Sequence, residues 1–333
     1  MKRMLWDDNN NGKVLRQSLR RSALTALVGM VNVAAALSFV YISKQLIDTV
    51  TGVADHPLNR GIALLCALMA LRLLSSVFYV YMEGKNTAKT QMALRRGFFN
   101  RLMRMRWDGT DTFHSGDAVN RVEEDVRVVV DFVTISLPGF VMAAFQLLFA
   151  SAFVYLMSPM LLGILVVFTV VAALLGLILY RPVRRLTRTI RKQDGEIQSH
   201  MQESLQNRIN AMVLFGIERM TERLDKMQGG LYDNMLKRLG FTSFAQFCMR
   251  IGFMAGYTVA FIYGVLGIKS GAITFGVMTA LLQLVGQVQR PLTSLTRLFP
   301  SAVRYSASLE RLDDINRCPQ EPSVEDIRME NAP

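Results

Sequence analysis

Residues 132–180 read FVTISLPGFVMAAFQLLFASAFVYLMSPMLLGILVVFTVVAALLGLILY, without a single Asp, Glu, Lys, Arg or His. A helix needs roughly 20 apolar residues to cross about 30 Å of hydrocarbon. The run therefore holds two membrane spans, with Ser158-Pro159 as the turn between them. Four more low-charge runs flank it: 22–43, 61–82 with Arg72 inside, 240–268 with Arg250 inside, and 270–289. The reading is an all-α membrane protein with six long transmembrane helices.

The charges orient these spans. The net charge of +12 is not spread evenly over the 333 residues. Six Lys/Arg lie in 1–21, nine in 83–131 and twelve in 181–238, whereas the connections on the other side hold little more than Lys44, Arg60 and Lys269. Cationic segments stay on the cytoplasmic side during insertion. The pattern predicts a plasma (inner) membrane protein in contact with lipid, its termini both cytoplasmic. It also argues against nucleic-acid binding, since the basic residues sort by membrane side. The long first span does not fit a cleavable signal. KVLRQSLRR at 13–21 is expected to form a short helix on the inner membrane surface, making 1–21 a cytoplasmic N-terminal arm. Cys66, Cys248 and Cys318 are too scattered for a disulfide framework or metal site, and His56, His114 and His200 form no ligand cluster.

The two inner connections run to 49 and 58 residues and lack the composition of loops. In 87–106 (TAKTQMALRRGFFNRLMRMR), Met92, Phe99, Leu102 and Met103 recur among cations at helical spacing; Leu205, Ile209, Met212, Phe215 and Leu224 do so in 198–228. The membrane helices are thus expected to continue about 25 Å into the cytoplasm as two hairpins. WDGTDT at 107–112 interrupts the first, and its outgoing helix starts at Ser115-Gly116-Asp117, where Ser115 or Asp117 can cap free N–H groups. Arg121 and Asp125 stand one turn apart and can pair. On mechanism alone, a solvated hairpin tip and a docking surface remain equally open.

The residues here resemble a family. Phe113-x-x-Gly116-Asp117-x-x-Asn120-Arg121-x-x-x-Asp125-Val126 looks like the first coupling region of the ABC exporter transmembrane domain. Glu203-Ser204-Leu205 through Phe215-Gly216-Ile217-Glu218 to Arg223-Leu224 is similar to its second coupling region. Arg290-Pro291-Leu292-x-x-Leu295, then Ser308-Leu309-Glu310-Arg311-Leu312-x-x-Ile315, is similar to its last helix and exit. What the resemblance implies is a type-1 transmembrane domain over 22–315, in a half-transporter that dimerises with a second half. Helices 4 and 5 would reach to the partner side. Two coupling helices would dock on nucleotide-binding domains, with Trp107, Asp111, Phe113, Gly116, Asp117, Arg121 and Asp125 at the first and Glu203, Leu205, Phe215 and Glu218 at the second. ATP and Mg would be bound by that missing domain, not by this chain. No G-x-x-x-x-G-K-[ST] loop is present: Gly12-Lys13 precedes Val14, and Gly84-Lys85 precedes Asn86. The polar stretch 316–333 reads as a linker toward a nucleotide-binding domain, fused or separate. No catalytic, cofactor or metal residue is assigned.

The last span carries a polar stripe, Thr279, Gln283, Gln287, Arg290, Ser294, Arg297 and Ser301, opposite Leu281, Leu284, Val285, Val288, Leu292, Leu295 and Phe299. Polar groups avoid lipid tails, so the stripe is expected to face a bundle interior or aqueous cavity. With Arg72 on the second span and Gln246, Arg250 and Tyr257 on the fifth, Thr279, Gln283, Gln287 and Arg290 are the candidate substrate-cavity residues, suited to an anionic or amphipathic substrate. For each arginine taken singly, interhelical pairing or snorkelling is the favoured reading, whereas cavity lining is favoured for the glutamine stripe. The functional expectation is a permease moving its substrate outward by alternating access. The competing class is a membrane scaffold or sensor whose cytoplasmic hairpins bind a partner.

Overall fold

The computed structural model describes residues 10–55, 57–106, 115–213 and 216–321. The elements are α1 (Asn10–Val50), α2 (Leu58–Met103), α3 (Ser115–Asn120), a π turn (Arg121–Asp125), α4 (Val126–Asp131), a second π turn (Phe132–Ser136), α5 (Leu137–Met157), α6 (Pro159–Gln206), α7 (Arg208–Val213), α8 (Ile217–Lys269) and α9 (Phe275–Arg317). Helical backbone angles at both π turns make 115–157 one continuous rod. Among the described residues, β pairing is limited to an isolated bridge between Met105 and Gln320.

Length separates span from extension. Helices of 46, 48 and 53 residues (α2, α6 and α8) extend about 70–80 Å at 1.5 Å per residue, more than twice the hydrocarbon thickness. By length and composition, helical stretches over Asn11–Val50, Leu58–Met103, Ala118–Met157 and Ile217–Lys269 can cross a membrane; Pro159–Phe168 and Phe275–Gln289 are shorter apolar stretches. The turns are built by local chemistry. Ser158 accepts from the Leu161 N–H at 3.3 Å with Pro159 behind it, and Thr274 accepts from the Val277 N–H at 3.1 Å. Gly52 and Gly271 take left-handed φ values of 75° and 72° in the turns after α1 and α8.

The chain divides into two compact units, one of 1–157 with 264–333, the other of 158–263. In the first, α1 and α2 form a long antiparallel hairpin. Its seam is polar: Thr90 donates to the Ser18 hydroxyl (2.9 Å), Asn86 to the Ser22 hydroxyl (3.0 Å) and Asn32 to the Ser75 hydroxyl (3.0 Å). Small polar residues let the backbones approach and satisfy one another away from water. At one end of this unit α1, α2, the rod and α9 share a core of Leu15, Leu94, Phe98, Val122, Val126, Val129, Val130, Val133, Leu312 and Ile315.

Three local expectations change. Lys13–Arg21 is not a separate surface helix: α1 runs through it unbroken, burying Leu15 and Ser18 against α2 and the core. The packed face of the α2 extension is Asn86, Thr90, Leu94 and Phe98, at steps of four, whereas Met92, Phe99 and Met103 are exposed. Finally, α2 ends at Met103 because Met105 and Arg106 turn into main-chain pairing with Pro319–Glu321.

Candidate functional site

The first candidate site is where α2, the rod and α9 meet. The first π turn places Arg121 and Asp125 toward the end of α9. Asp125 is 3% exposed and binds Arg311 at 2.8 Å. Arg121 donates to the Arg311 carbonyl at 3.0 Å and reaches Asp314 at 3.4 Å. The turn-spanning Arg121–Asp125 pair expected from spacing is replaced by these interhelical bonds, since the π turn changes the angular relation of the two residues and each finds a partner on α9. Arg101 of α2 donates to the carbonyls of Ile315 (3.3 Å) and Asn316. Backbone pairing continues the contact, Arg106 N–H to Pro319 (3.0 Å) and Glu321 N–H to Arg104 (2.9 Å). Arg95 pairs with Glu123 beside it. Two turns on from Asp125, Phe132 stacks on Tyr305 at 4.3 Å, and burial pushes the Tyr305 phenol above its ordinary value. Gly116 and Asp117 belong to α3 at the foot of the rod. Trp107, Asp111 and Phe113 lie outside the described residues.

The second site belongs to the other unit. α6 ends at Gln206, with the Asn207 N–H on the Glu203 carbonyl at 3.0 Å, and the six-residue α7 follows before Gly216 and α8. His200 Nε2 lies 3.1 Å from the Met220 carbonyl and ties the two legs together. The connection exposes Leu205 at 72%, Ile209 at 77% and Val213 at 71%. Beside it a hollow of about 420 Å³ is lined by Met201, Leu205, Met212, Ile217, Met220 and Leu224, among others. Glu203 and Glu218 are exposed, and Glu218 sits in the first turn of α8, where a carboxylate suits the helix dipole. Phe215 lies outside the described residues.

The candidate cavity residues divide between the units. On α9, the apolar sector is the packed one: Leu281, Leu284, Val285 and Val288 are buried, while Gln283 is exposed. Thr279 donates to the Gly276 carbonyl of its own helix at 2.9 Å. Arg72 is exposed, and its carbonyl accepts from Asn32 at 2.8 Å. Gln246, Arg250 and Tyr257 are exposed on α8 in the second unit, and Arg290 lies on α9 in the first. Gln287 finds a partner that the sequence did not suggest. Proline at 291 has no N–H for the carbonyl four residues back. Gln146 of α5 donates to that freed Gln287 carbonyl at 3.2 Å and to the Gln287 side-chain oxygen at 2.6 Å. Gln146 also lines a cavity of about 500 Å³ with Asn32, Ser76, Tyr79, Met142 and Ser294. Gln146→Leu should therefore destabilise the protein by roughly 1–3 kcal/mol through an unsatisfied carbonyl. A thermal denaturation series on the purified protein checks it, with Gln146→Asn expected to fall between.

A profile of the ABC transporter transmembrane region matches residues 23–292. The chain belongs to this family. Curated relatives include ATP-dependent lipid A-core flippases. An ATP-dependent lipid A-core flippase of Photorhabdus laumondii subsp. laumondii is 21% identical over 312 residues, covering 93% of this chain and 53% of the relative. The flippase of the same description from Escherichia coli K12 is 23% identical over 300 residues, 88% and 50% of the two chains. That from Haemophilus ducreyi is 24% identical over 278 residues, 83% and 48%. The chain spans about half the length of the curated relatives it matches. This ABC transmembrane region exposes apolar side chains on the connection around α7 and, at the foot of the rod, Val119.

Proposed function

We propose that the chain is the permease part of an ATP-driven ABC exporter with six spans, both termini cytoplasmic and two hairpins facing an ATPase. The observation that carries this is the connection between α6 and α8. It presents Leu205, Ile209 and Val213 largely exposed at the end of helices far longer than a membrane is thick. An apolar tip held away from lipid is the mark of a surface that a protein partner covers. In this reading α7 belongs to the second coupling region, and the first coupling region, assigned to Trp107–Gly116, lies mostly outside the described residues. The clustering of 158–263 as its own unit supports an arrangement in which the fourth and fifth spans serve a second half-transporter. The substrate is an amphipathic molecule, a lipid being favoured by the flippase relatives. Alternating access would expose the cavity containing Gln146 and the Gln283 face of α9 in turn to the two sides of the membrane.

The test uses the full-length transporter, with its ATPase fused or as a separate subunit, in nanodiscs. Ile209→Asp is expected to lower ATP hydrolysis at least tenfold while leaving the protein folded and monodisperse. Normal hydrolysis in this variant would remove α7 from the coupling surface. If no ATPase accompanies the chain in any preparation, the scaffold or sensor reading replaces the transporter.

A further inference from the structure

We propose that Arg101, Asp125 and Arg311 are positioning residues of a rigid joint that fastens the exit of α9 to the base of the first cytoplasmic hairpin. The hairpin base and the polypeptide leaving α9 then move as one body throughout the transport cycle. This rests on the transporter reading above, and it adds a second path for force, through the α9 exit.

Three features make the contact a fastening and not a casual touch. First, the carbonyls in the last turn of a helix have no partners within it. Here Arg101 of α2 takes those of Ile315 and Asn316, and Cys318 Sγ lies 3.3 Å from that of Asp314. The end of α9 is thus capped largely by a different helix. Second, Asp125 is buried, with Arg311 on it at 2.8 Å. Separating the two would leave a carboxylate away from water without its counter-charge, which is strongly unfavourable. Third, the chain on both sides pairs by backbone. Glu321 N–H reaches the Arg104 carbonyl and Arg106 N–H the Pro319 carbonyl, flanking the Met105–Gln320 bridge. Beneath all three, Leu312 and Ile315 are packed with Leu15, Leu94 and Phe98. A hinge would need few buried contacts and freely rotating residues. This contact has neither.

The bonding pattern supplies the test. Because the two hydrogen bonds flank the bridge, Met105 and Gln320 are a non-hydrogen-bonded antiparallel pair. Such pairs bring Cα atoms to about 4.5 Å, within the range a disulfide accepts. Met105→Cys/Gln320→Cys is made in the full-length transporter with Cys66, Cys248 and Cys318 replaced by Ser. The joint predicts near-complete disulfide formation under mild oxidation without a lower thermal midpoint. Failure to form the bond overturns the joint whether or not the protein hydrolyses ATP. The joint also predicts ATP hydrolysis within twofold of the reduced protein, because nothing at this contact needs to open. A tenfold loss on oxidation, restored by reductant, overturns it by showing that the contact separates in each cycle. Absence of ATP hydrolysis in the reduced protein would instead count against the transporter reading, leaving the joint to be judged by bond formation and thermal midpoint.

Discussion

Phe98→Ala is expected to cost about 3–5 kcal/mol, the range for removing a fully buried aromatic from a packed core. Phe98 is 1% exposed and belongs to the cluster that joins α1, α2, the rod and α9. Its loss leaves a hole under the α9 exit, where Leu312 and Ile315 pack. The neighbour Phe99 is the control. It is 60% exposed on the same helix, so Phe99→Ala should change stability by well under half as much. The check is the temperature at which purified protein loses its monodisperse gel-filtration peak. Equal shifts for Phe98 and Phe99 would mean that the packed face of α2 has been assigned wrongly.

The second large effect is expected at Gly276, on the first turn of α9. A methyl group built there would stand 2.6 Å from the Lys44 carbonyl and against the Asp48 carboxylate. Asp48 is buried and bound to Lys44 at 3.3 Å. Backbone of α1 cannot yield as a side chain does, so α1 and α9 must separate. Gly276→Ala should cost roughly 1–3 kcal/mol by overpacking, and Gly276→Val more. Gly29 again offers the contrast. The atoms a methyl would meet there are the flexible end of Met142, which can rotate aside. Gly29→Ala should therefore shift the same thermal midpoint far less than Gly276→Ala. The reverse order would contradict the close approach of α1 and α9.

Most of the helical plan could be read from the chain because lipid imposes a simple rule: long uncharged runs must be helices. The turn at Ser158-Pro159 followed from the same rule, and the helices' continuation past the apolar runs could be read from helical spacing among the charged residues. The packed face of the α2 extension was not. Its stripe mixes Asn86 and Thr90 with Leu94 and Phe98, so the apolar period is hidden, and Met92 and Phe99 mimic a face that the fold leaves open. Ser18 with Ser22 and Asn86 with Thr90 each stand four apart, and pairing the two helices antiparallel would have exposed the seam. The Asp125–Arg311 and Arg101–Ile315 contacts join residues 186 and 214 positions apart by their numbers in the sequence. No local spacing announces them. Gln146 was invisible for a related reason: only the missing N–H of Pro291 creates its task, on another helix.

The central proposal is that the α6–α8 connection and the foot of the rod each face the cytoplasm. Single cysteines at Ile209 and Val119, both exposed, in a background with Cys66, Cys248 and Cys318 changed to Ser, test it directly with a membrane-impermeant maleimide. The account predicts labelling of both in inside-out vesicles and of neither in right-side-out vesicles. Labelling of either one from the exterior would contradict it.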